Sequence, residues 1–168
     1  DRLEFPVSIS DAENTTFIVA NSIRDSYSSI MSLNKHHFSF GAGLFRSEFS
    51  DGRKIIEKLL NNYSIISSTT GSNLLNGTVD LTNGNSSRSL SRTSFYSITN
   101  QAVGALFYSG QFNFHLDGLI AEIIVYNENL NSASRKIVSN YLASKYNLTG
   151  ESNLYNYAAT NGNNVMGI

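Results

Sequence analysis

The acidic side chains are the first candidates for chemistry, because glycoside hydrolysis uses two carboxylates, about 5 Å apart when one of them is the nucleophile. Alternate positions of a strand share a face, so a Glu-x-Asp-x-Glu spacing would build such a pair. The sequence contains no such spacing. Asp117 and Glu122 are five positions apart with Gly118 between them, which predicts opposite faces of a strand. We therefore expect no enzyme and no catalytic residue, and we interpret Glu122 as the partner of a buried polar group or a backbone amide.

Histidines and aspartates are the candidate metal ligands. His36 and His37 are adjacent, and neighbouring residues of a strand point to opposite faces, so the two would not readily share an ion. His115 is isolated in the sequence. We predict no cofactor and no metal site, but calcium, which takes oxygen ligands from loops, stays open as an alternative. The aspartates near predicted turns are Asp51, Asp80 and Asp117.

Aromatic side chains are candidates for a sugar-binding surface, which needs flat rings beside amides and carboxylates. Tryptophan is absent, which leaves 9 tyrosines and 10 phenylalanines. We expect most of the phenylalanines in the core. Tyr27, Tyr96 and Tyr108 are candidates for exposed rings, and each is equally compatible with a core position whose hydroxyl reaches the rim. The sequence thus assigns no ligand-binding residue and leaves glycans as candidate ligands.

Composition excludes several other kinds of chemistry. There is no cysteine, which removes disulfide scaffolds, zinc ribbons and thiol catalysis. Neither a Gly-x-Ser-x-Gly elbow nor a Gly-x-x-x-x-Gly-Lys loop occurs, which argues against serine hydrolase and nucleotide chemistry. The formal net charge is -1 without a basic stripe, so we expect no nucleic-acid partner. No apolar run reaches the roughly 18 residues of a membrane span.

The elements that must position these residues are short strands between turns, because apolar and polar residues alternate along most of the chain. Residues 15–20 (TTFIVA) are β-branched and apolar, which predicts a central strand. Residues 119–126 (LIAEIIVY) form the most apolar segment, which predicts a strand deep in a sheet. The other predicted strands cover residues 3–7, 27–33, 37–45, 63–69, 93–98, 102–108 and 111–116.

Three short segments complete this pattern. Asn76-Gly77, between residues 74–75 and 78–79, predicts the type I′ turn of a hairpin. Residues 83–91, rich in Asn, Gly and Ser, predict a polar loop. Residues 53–60 (RKIIEKLL) place four apolar side chains on one helical face, which favours a short amphipathic helix, with an edge strand as the alternative.

One clear helix is predicted over residues 132–146. Asn131 is a good N-cap, because its side chain can accept from a free backbone N–H group, and Asn147 can end the helix in the left-handed conformation. The expected buried stripe consists of Ile137, Val138, Tyr141, Leu142, and Lys145 or Tyr146. Residues 149–168 show little periodicity.

Residues 114–148 (FHLDGLIAEIIVYNENLNSASRKIVSNYLASKYNL) closely resemble the C-terminal signature of laminin-G-like modules of the concanavalin A-like lectin/glucanase superfamily, of the type found in bacterial and viral surface proteins. The matching residues are Gly118, Ile120, Ala121, Glu122, Tyr126, Leu130, Tyr141, Leu142, Lys145 and Tyr146. Weaker matches lie at residues 16–20, 63–67 and 74–79. Two departures, Asn131 with Ser134 in place of a capping box and Asn147 in place of glycine, preserve the expected backbone geometry.

The resemblance implies an all-β fold, an antiparallel β-sandwich of the concanavalin A-like jelly-roll type with one C-terminal helix. Residues 1–148 are expected to form this laminin-G-like domain, and residues 149–168 a C-terminal tail or extended wrap. The chain starts at Asp1 without a signal peptide, so we expect a processed product or a piece of a longer polypeptide.

The expected function is that of a non-catalytic surface or virion module. Charged residues make up only 15% of the chain, while 21 Asn, 26 Ser and 10 Thr supply a neutral polar surface. Such a module would serve structural assembly or adhesion in an extracellular setting, on a cell or virion surface, with other surface or virion proteins as partners and glycans as candidate ligands. The alternative is an ancillary carbohydrate-binding module of a larger polysaccharide-degrading enzyme.

Overall fold

The computed structural model describes the backbone of residues 3–4, 14–23, 28–33, 36–41, 44–49, 52–57, 62–70, 76–81, 86–91, 101–108 and 110–148. Side-chain burial is described for residues 14–21, 23, 28–32, 62–69, 101–106 and 110–148.

Thirteen strands and one helix occupy these ranges. The first six strands are β1 (Leu3–Glu4), β2 (Asn14–Ser22), β3 (Ser28–Leu33), β4 (His36–Gly41), β5 (Leu44–Phe49) and β6 (Gly52–Glu57). The next six are β7 (Ser64–Thr70), β8 (Asn76–Leu81), β9 (Ser86–Ser91), β10 (Ala102–Val103), β11 (Leu106–Tyr108) and β12 (Gln111–Asn113). The chain then forms β13 (Gly118–Tyr126) and the helix α1 (Ser132–Tyr146).

The described strands form two large sheets, antiparallel throughout the described pairs. One has five strands in the order β13-β2-β7-β8-β9, and the other has six in the order β1-β10-β3-β4-β5-β6. A separate hairpin joins β11 to β12. This arrangement confirms the predicted all-β antiparallel sandwich with one C-terminal helix.

The core is centred on β2, which is buried on both faces. Every side chain from Asn14 to Ala20 is at most 5% exposed. On one face Phe17 packs with Leu142 of α1, and its ring meets Tyr126 edge to face at a centroid distance of 6.2 Å. On the opposite face Ile18 lies beside Ile66 of β7, and both are fully buried. Since α1 covers the first face, the second faces the six-stranded sheet, and the central position predicted for residues 15–20 is confirmed.

The helix begins and ends where the sequence predicts. The side-chain oxygen of Asn131 accepts a hydrogen bond from the backbone N–H of Ser134 at 2.9 Å. Asn147 has φ 52° and ψ 45°, and the next residue, Leu148, donates its N–H to the Ala143 carbonyl oxygen at 2.8 Å. Both predicted caps are confirmed. In the described part of the chain, no helix has the length and apolarity needed to cross a membrane.

The predicted buried stripe of α1 is partly wrong. Leu142 is fully buried, and Val138 and Tyr146 pack against the core as expected. Ile137 and Tyr141, however, are 50% and 48% exposed. The small residues Ser139 and Ala143 take the buried positions instead. Their size lets the helix backbone approach the sheet more closely than Ile137 and Tyr141 would allow, which explains the rotation of the buried face.

Edge strands account for three further differences. Residues 52–57 form β6 at the edge of the six-stranded sheet, so the favoured helix is wrong and the edge-strand alternative is confirmed. A helix of this length has little stability of its own, whereas β5 offers a full set of backbone partners. Residues 86–91 form β9 instead of a loop, since an edge strand tolerates polar side chains. β13 lies at the edge of its sheet in the described topology and not deep within it.

The predicted turn at Asn76-Gly77 is also wrong. Asn76 pairs with Ser91 and Gly77 with Thr70, so both are extended ladder residues of β8. A type I′ turn needs positive φ at both central positions, which this ladder excludes. The connection from β7 to β8 falls in residues 71–75. That segment, the predicted strand at 93–98 and the predicted tail at 149–168 lie outside the described residues.

Candidate functional site

The first candidate is Glu122, the one acidic residue that β13 carries. A β-bulge at this point shifts the register between Ile120 and Glu122 and directs the carboxylate toward the C-terminal end of α1. Lys145 Nζ donates to Glu122 Oε1 at 3.2 Å and to Oε2 at 3.1 Å. The Tyr146 hydroxyl lies 3.0 Å from Glu122 Oε2 and 3.3 Å from the Ala121 carbonyl oxygen. This carboxylate therefore joins the helix end to the sheet. The predicted partner, a buried polar group or a backbone amide, is found only in part: the Tyr146 hydroxyl is part-buried, whereas the Lys145 side chain is exposed.

The surroundings of this ion pair shift the pKa of both donors. The hydrogen bond to Glu122 raises the pKa of Lys145 above its ordinary value of 10.5, and Tyr141 adds to that shift. Desolvation raises the pKa of Tyr146 above its ordinary value of 10.0, and its hydrogen bond to Glu122 raises it further. Lys145 Nζ also lies 5.6 Å from the ring centroid of Tyr141. The Glu122 carboxylate thus faces donors and a cation, an arrangement suited to an ion pair.

The other residues singled out from the sequence are dispersed. Asp117 lies in the connection before β13, and His115 is exposed three residues before that strand. Asp80 pairs with Ser67 and Ser87 in the ladder of β8, so it does not belong to a turn. His36 and His37 are successive residues of β4. Within the described ranges, no group of three His, Cys, Asp or Glu side chains comes together to hold a metal ion.

Three predicted residues lie outside the described ranges, namely Asp51, Tyr27 and Tyr96. Tyr108 is in β11, but its side chain is outside the described part. Neither the calcium alternative nor these tyrosine platforms is therefore tested by the structure.

The second candidate is the end of the sandwich formed by residues 110–119 together with Ile23, here called the 110–119 end. Gly110, with φ 84°, makes the tight turn of the β11–β12 hairpin. Gln111 and Asn113 follow it with their amides on one face of β12. Gln111 Nε2 donates to Asn113 Oδ1 at 3.4 Å, and Asn113 Nδ2 donates to the Gln111 carbonyl oxygen at 3.4 Å. Two amides therefore stand side by side at the surface of this end.

Phe114 is the unusual residue of the 110–119 end. Its φ is 52°, a left-handed conformation that costs a bulky residue roughly 1–3 kcal/mol. Its side chain is nonetheless 44% exposed, so Phe114 is an exception to the expectation that most phenylalanines lie in the core. The left-handed turn also explains why β12 ends at Asn113, whereas the sequence predicts a strand to residue 116. Strain and exposure thus coincide at one aromatic residue.

Backbone hydrogen bonds hold the segment around Phe114 in place. Its carbonyl oxygen accepts from the Ser29 N–H at 2.6 Å. The Leu116 N–H donates to the Gly104 carbonyl oxygen at 2.8 Å, and the Ile23 N–H donates to the Asp117 carbonyl oxygen at 3.1 Å. These bonds tie three residues of the segment to three other parts of the chain. The segment is therefore a fixed platform.

Exposed apolar side chains gather at the same end. Ile23 and Leu119 are both about half exposed. The backbone N–H of Ile23 binds the carbonyl oxygen of Asp117, and Leu119 follows Asp117 by two residues. With Phe114 they make up three of the five exposed large hydrophobic side chains found in the described residues. The sequence carries one signal for this end, the alternation of amides and aromatic rings over residues 111–115 (QFNFH).

Comparisons with known proteins yield matches only among solved structures. No protein-family model and no curated protein matches the chain. A mutant of the NanB sialidase from Streptococcus pneumoniae matches with a TM-score of 0.60 and 13% identity over 80% of this chain and 26% of that one. The chain thus spans about a quarter of that sialidase.

Two smaller proteins match over most of their own length. A SAP-like pentraxin from Limulus polyphemus has a TM-score of 0.59 and 13% identity, covering 83% of this chain and 76% of that one. The CBM40 module of a Ruminococcus gnavus IT-sialidase, solved bound to alpha2,3 sialyllactose, has a TM-score of 0.58 and 11% identity, covering 73% and 80%. At these identities the likeness establishes architecture alone: the chain has the jelly-roll β-sandwich fold of lectin-like domains.

Proposed function

We propose that this chain is a non-catalytic module that binds glycans outside the cell, on a cell or virion surface, in adhesion or assembly. The observation that carries the proposal is the 110–119 end, where an exposed aromatic residue directly follows a strand with two surface amides, on a backbone held by hydrogen bonds. Rings and amides are the groups that carbohydrate recognition needs, and a fixed backbone reduces the entropy lost on binding.

The surroundings of Glu122 support a non-catalytic role. Retaining and inverting glycosidases need a second carboxyl group opposite the first. The described partners of the Glu122 carboxylate are the Lys145 ammonium group and the Tyr146 hydroxyl. Through these two contacts the Glu122 carboxylate links α1 to β13.

A glycan array tests the proposed function. The purified chain, labelled and applied to an array of mammalian, bacterial and plant glycans, is expected to bind a subset of them saturably. A hit is then measured by titration calorimetry with the free oligosaccharide. If the folded protein binds no glycan at concentrations up to the millimolar range, the glycan-binding proposal is overturned. Assembly with other surface or virion proteins then remains as the proposed role.

A second candidate is an ancillary module of a larger polysaccharide-degrading enzyme. The observation that favours it is the NanB match, in which this fold accounts for about a quarter of a sialidase chain. The CBM40 match is likewise a module named after a sialidase. The sequence of the full parent polypeptide tests this candidate: a catalytic domain beside the module supports it, and a parent made only of surface repeats or virion segments contradicts it.

A further inference from the structure

Resting on the proposed function, we infer that the ring of Phe114 is the stacking platform for one pyranose ring of the glycan, with the neighbouring amides of Gln111 and Asn113 as partners for its hydroxyl groups. The ligand class is a neutral pyranose that presents an apolar face of C–H groups. The inference locates the binding site at the 110–119 end and names its central residue.

The backbone of Phe114 provides the first argument. A positive φ of 52° is adopted readily by glycine and tolerated by asparagine, but it is an outlier for an aromatic residue. Such a conformation persists only where the surroundings determine it. Here the Ser29 N–H binds the Phe114 carbonyl oxygen, and the residues that follow are held by the bonds of Leu116 to Gly104 and of Ile23 to Asp117. Core packing alone does not account for an aromatic ring at so unfavourable a backbone position. We therefore infer the role of the ring from the surface that it presents to solvent.

The exposure of the ring provides the second argument. A phenylalanine kept for core packing would be buried, yet 44% of this residue is accessible while the backbone beneath it is bonded into the sandwich. The face of an aromatic ring is electron-rich and attracts the weakly positive C–H groups of a sugar. Leu119 and Ile23, both half exposed, extend the apolar surface at the same end.

The amides provide the third argument. The two contacts that link Gln111 and Asn113 are 3.4 Å long, beyond the usual range of 2.7–3.2 Å for N–H···O bonds. A sugar hydroxyl, which both donates and accepts, can replace such long bonds with shorter ones. An amide offers donor and acceptor together, so it matches a vicinal pair of hydroxyls without a charge on either side.

Tyr141 supplies a matched control, because it is the other large aromatic side chain that is about half exposed in the described residues. It lies on α1, and the ammonium group of Lys145 is 5.6 Å from its ring centroid. The Tyr141 ring is therefore engaged by a cation on a different surface. If any exposed aromatic residue could serve as the platform, Tyr141 would do so as well as Phe114.

The test uses the best glycan found with the whole chain and measures its affinity for four variants. Phe114→Ala is expected to weaken binding about tenfold or more, and Phe114→Tyr, which keeps the ring, is expected to stay within about threefold of wild type. Gln111→Ala is expected to weaken binding by a smaller factor. Tyr141→Ala is expected to leave the affinity unchanged. Circular dichroism and thermal unfolding of each variant show that the fold is retained.

The outcomes separate the two proposals. If the wild-type chain binds no glycan, the proposed function fails and this inference fails with it. If the wild type binds but Phe114→Ala binds as tightly as Tyr141→Ala, the inference alone is overturned. A loss with Phe114→Tyr equal to that with Phe114→Ala also contradicts it, because the platform would then not be the ring.

Discussion

The face of the sandwich beneath α1 and the 110–119 end are built in opposite ways. Beneath α1, capping residues close both helix ends, Leu142 fills the core, and Glu122 is matched by a cation and a hydroxyl. At the 110–119 end, a bulky residue takes a left-handed conformation and apolar side chains stay in contact with water. Capping, core packing and charge pairing explain the residues found beneath α1. They do not explain the left-handed backbone of Phe114 or the exposed apolar side chains at the 110–119 end.

The difference between the regions indicates where stability and function reside. Natural sequences follow local rules of capping, packing and pairing over most of their length, and the places where they break them concentrate at functional sites. The face beneath α1 is therefore expected to respond to substitution mainly in its free energy of unfolding. The 110–119 end is expected to respond mainly in ligand binding.

The largest expected effect is that of Leu142→Ala in the core beneath α1. Leu142 is fully buried against Phe17 and Ile65, so its truncation should lower the free energy of unfolding by about 2–5 kcal/mol. Chemical denaturation measures this loss. The control is Ile137→Ala on the same helix, where a half-exposed side chain should cost less than about 1 kcal/mol. Equal losses for the two variants would contradict the observed orientation of the helix.

The next effect isolates the strain at Phe114 by comparing Phe114→Gly with Phe114→Ala. Both variants remove the ring, but only glycine adopts φ 52° without a Cβ penalty, so Phe114→Gly should be more stable by about 1 kcal/mol. Thermal or chemical unfolding gives the difference. Both variants should lose glycan binding to the same extent, because each lacks the platform. An alanine variant as stable as the glycine variant would show that the left-handed conformation carries no strain.

A smaller loss is expected at the N-cap of α1. Asn131→Ala removes the acceptor of the Ser134 N–H group and should lower the free energy of unfolding by about 1 kcal/mol. Urea denaturation is suitable for the measurement. Ser132→Ala at the next position serves as the control and should change stability by only a few tenths of a kcal/mol. A neutral Asn131→Ala would indicate that the cap does not contribute to stability.

The smallest effect concerns the cluster of Glu122, Lys145 and Tyr146 at high pH. The pKa values of Lys145 and Tyr146 are raised in the folded chain, so folding favours their protonated forms. This stabilisation is fully present below the ordinary values of 10.0 and 10.5 and is lost as the pH rises through the higher folded values.

Glu122→Gln tests this pH dependence. The wild type should unfold at a higher temperature than Glu122→Gln at about pH 8, and the gap should narrow progressively as the pH is raised beyond about 10.5, because the ammonium group then begins to deprotonate. Ile137→Ala, which is outside the cluster, should keep a constant offset from wild type over the same range. A constant gap for Glu122→Gln would show that the ion pair does not couple to folding.

The parts of the fold that sequence reasoning recovers are those governed by local rules. Asn131, Asn147 and the bounds of α1 follow from capping chemistry, which acts over three or four residues. The strand at residues 15–20 follows from a run of β-branched and apolar residues. The errors arise where backbone pairing with the neighbouring strand of a sheet overrides the local preference of the residues, as in β6, in β9 and at Asn76-Gly77.

The candidate site illustrates the same limit. Glu122 is recognisable in the sequence as a structural residue, but its partners lie 23 and 24 positions away on α1. Phe114 gives no local sign of its left-handed backbone, because the bonds that hold residues 114–117 in place are made with Ser29, Gly104 and Ile23, at least ten positions earlier in the chain. The exposure of the Phe114 side chain likewise depends on which strands and loops of the folded chain lie next to it.

By itself the sequence determined an all-β sandwich with one capped C-terminal helix, and it located many of the strands. Polar–apolar alternation and helix capping involve only neighbouring residues, so both can be recognised in the sequence. It also removed thiol and paired-carboxylate chemistry, since those require residue types or spacings that are absent. Only the tertiary structure decided which face of α1 is buried, which strands form the edges, and that Phe114 stands exposed in a strained turn. These features depend on contacts between segments that are far apart in the chain. The energies of such contacts cannot be judged from any one short stretch of sequence.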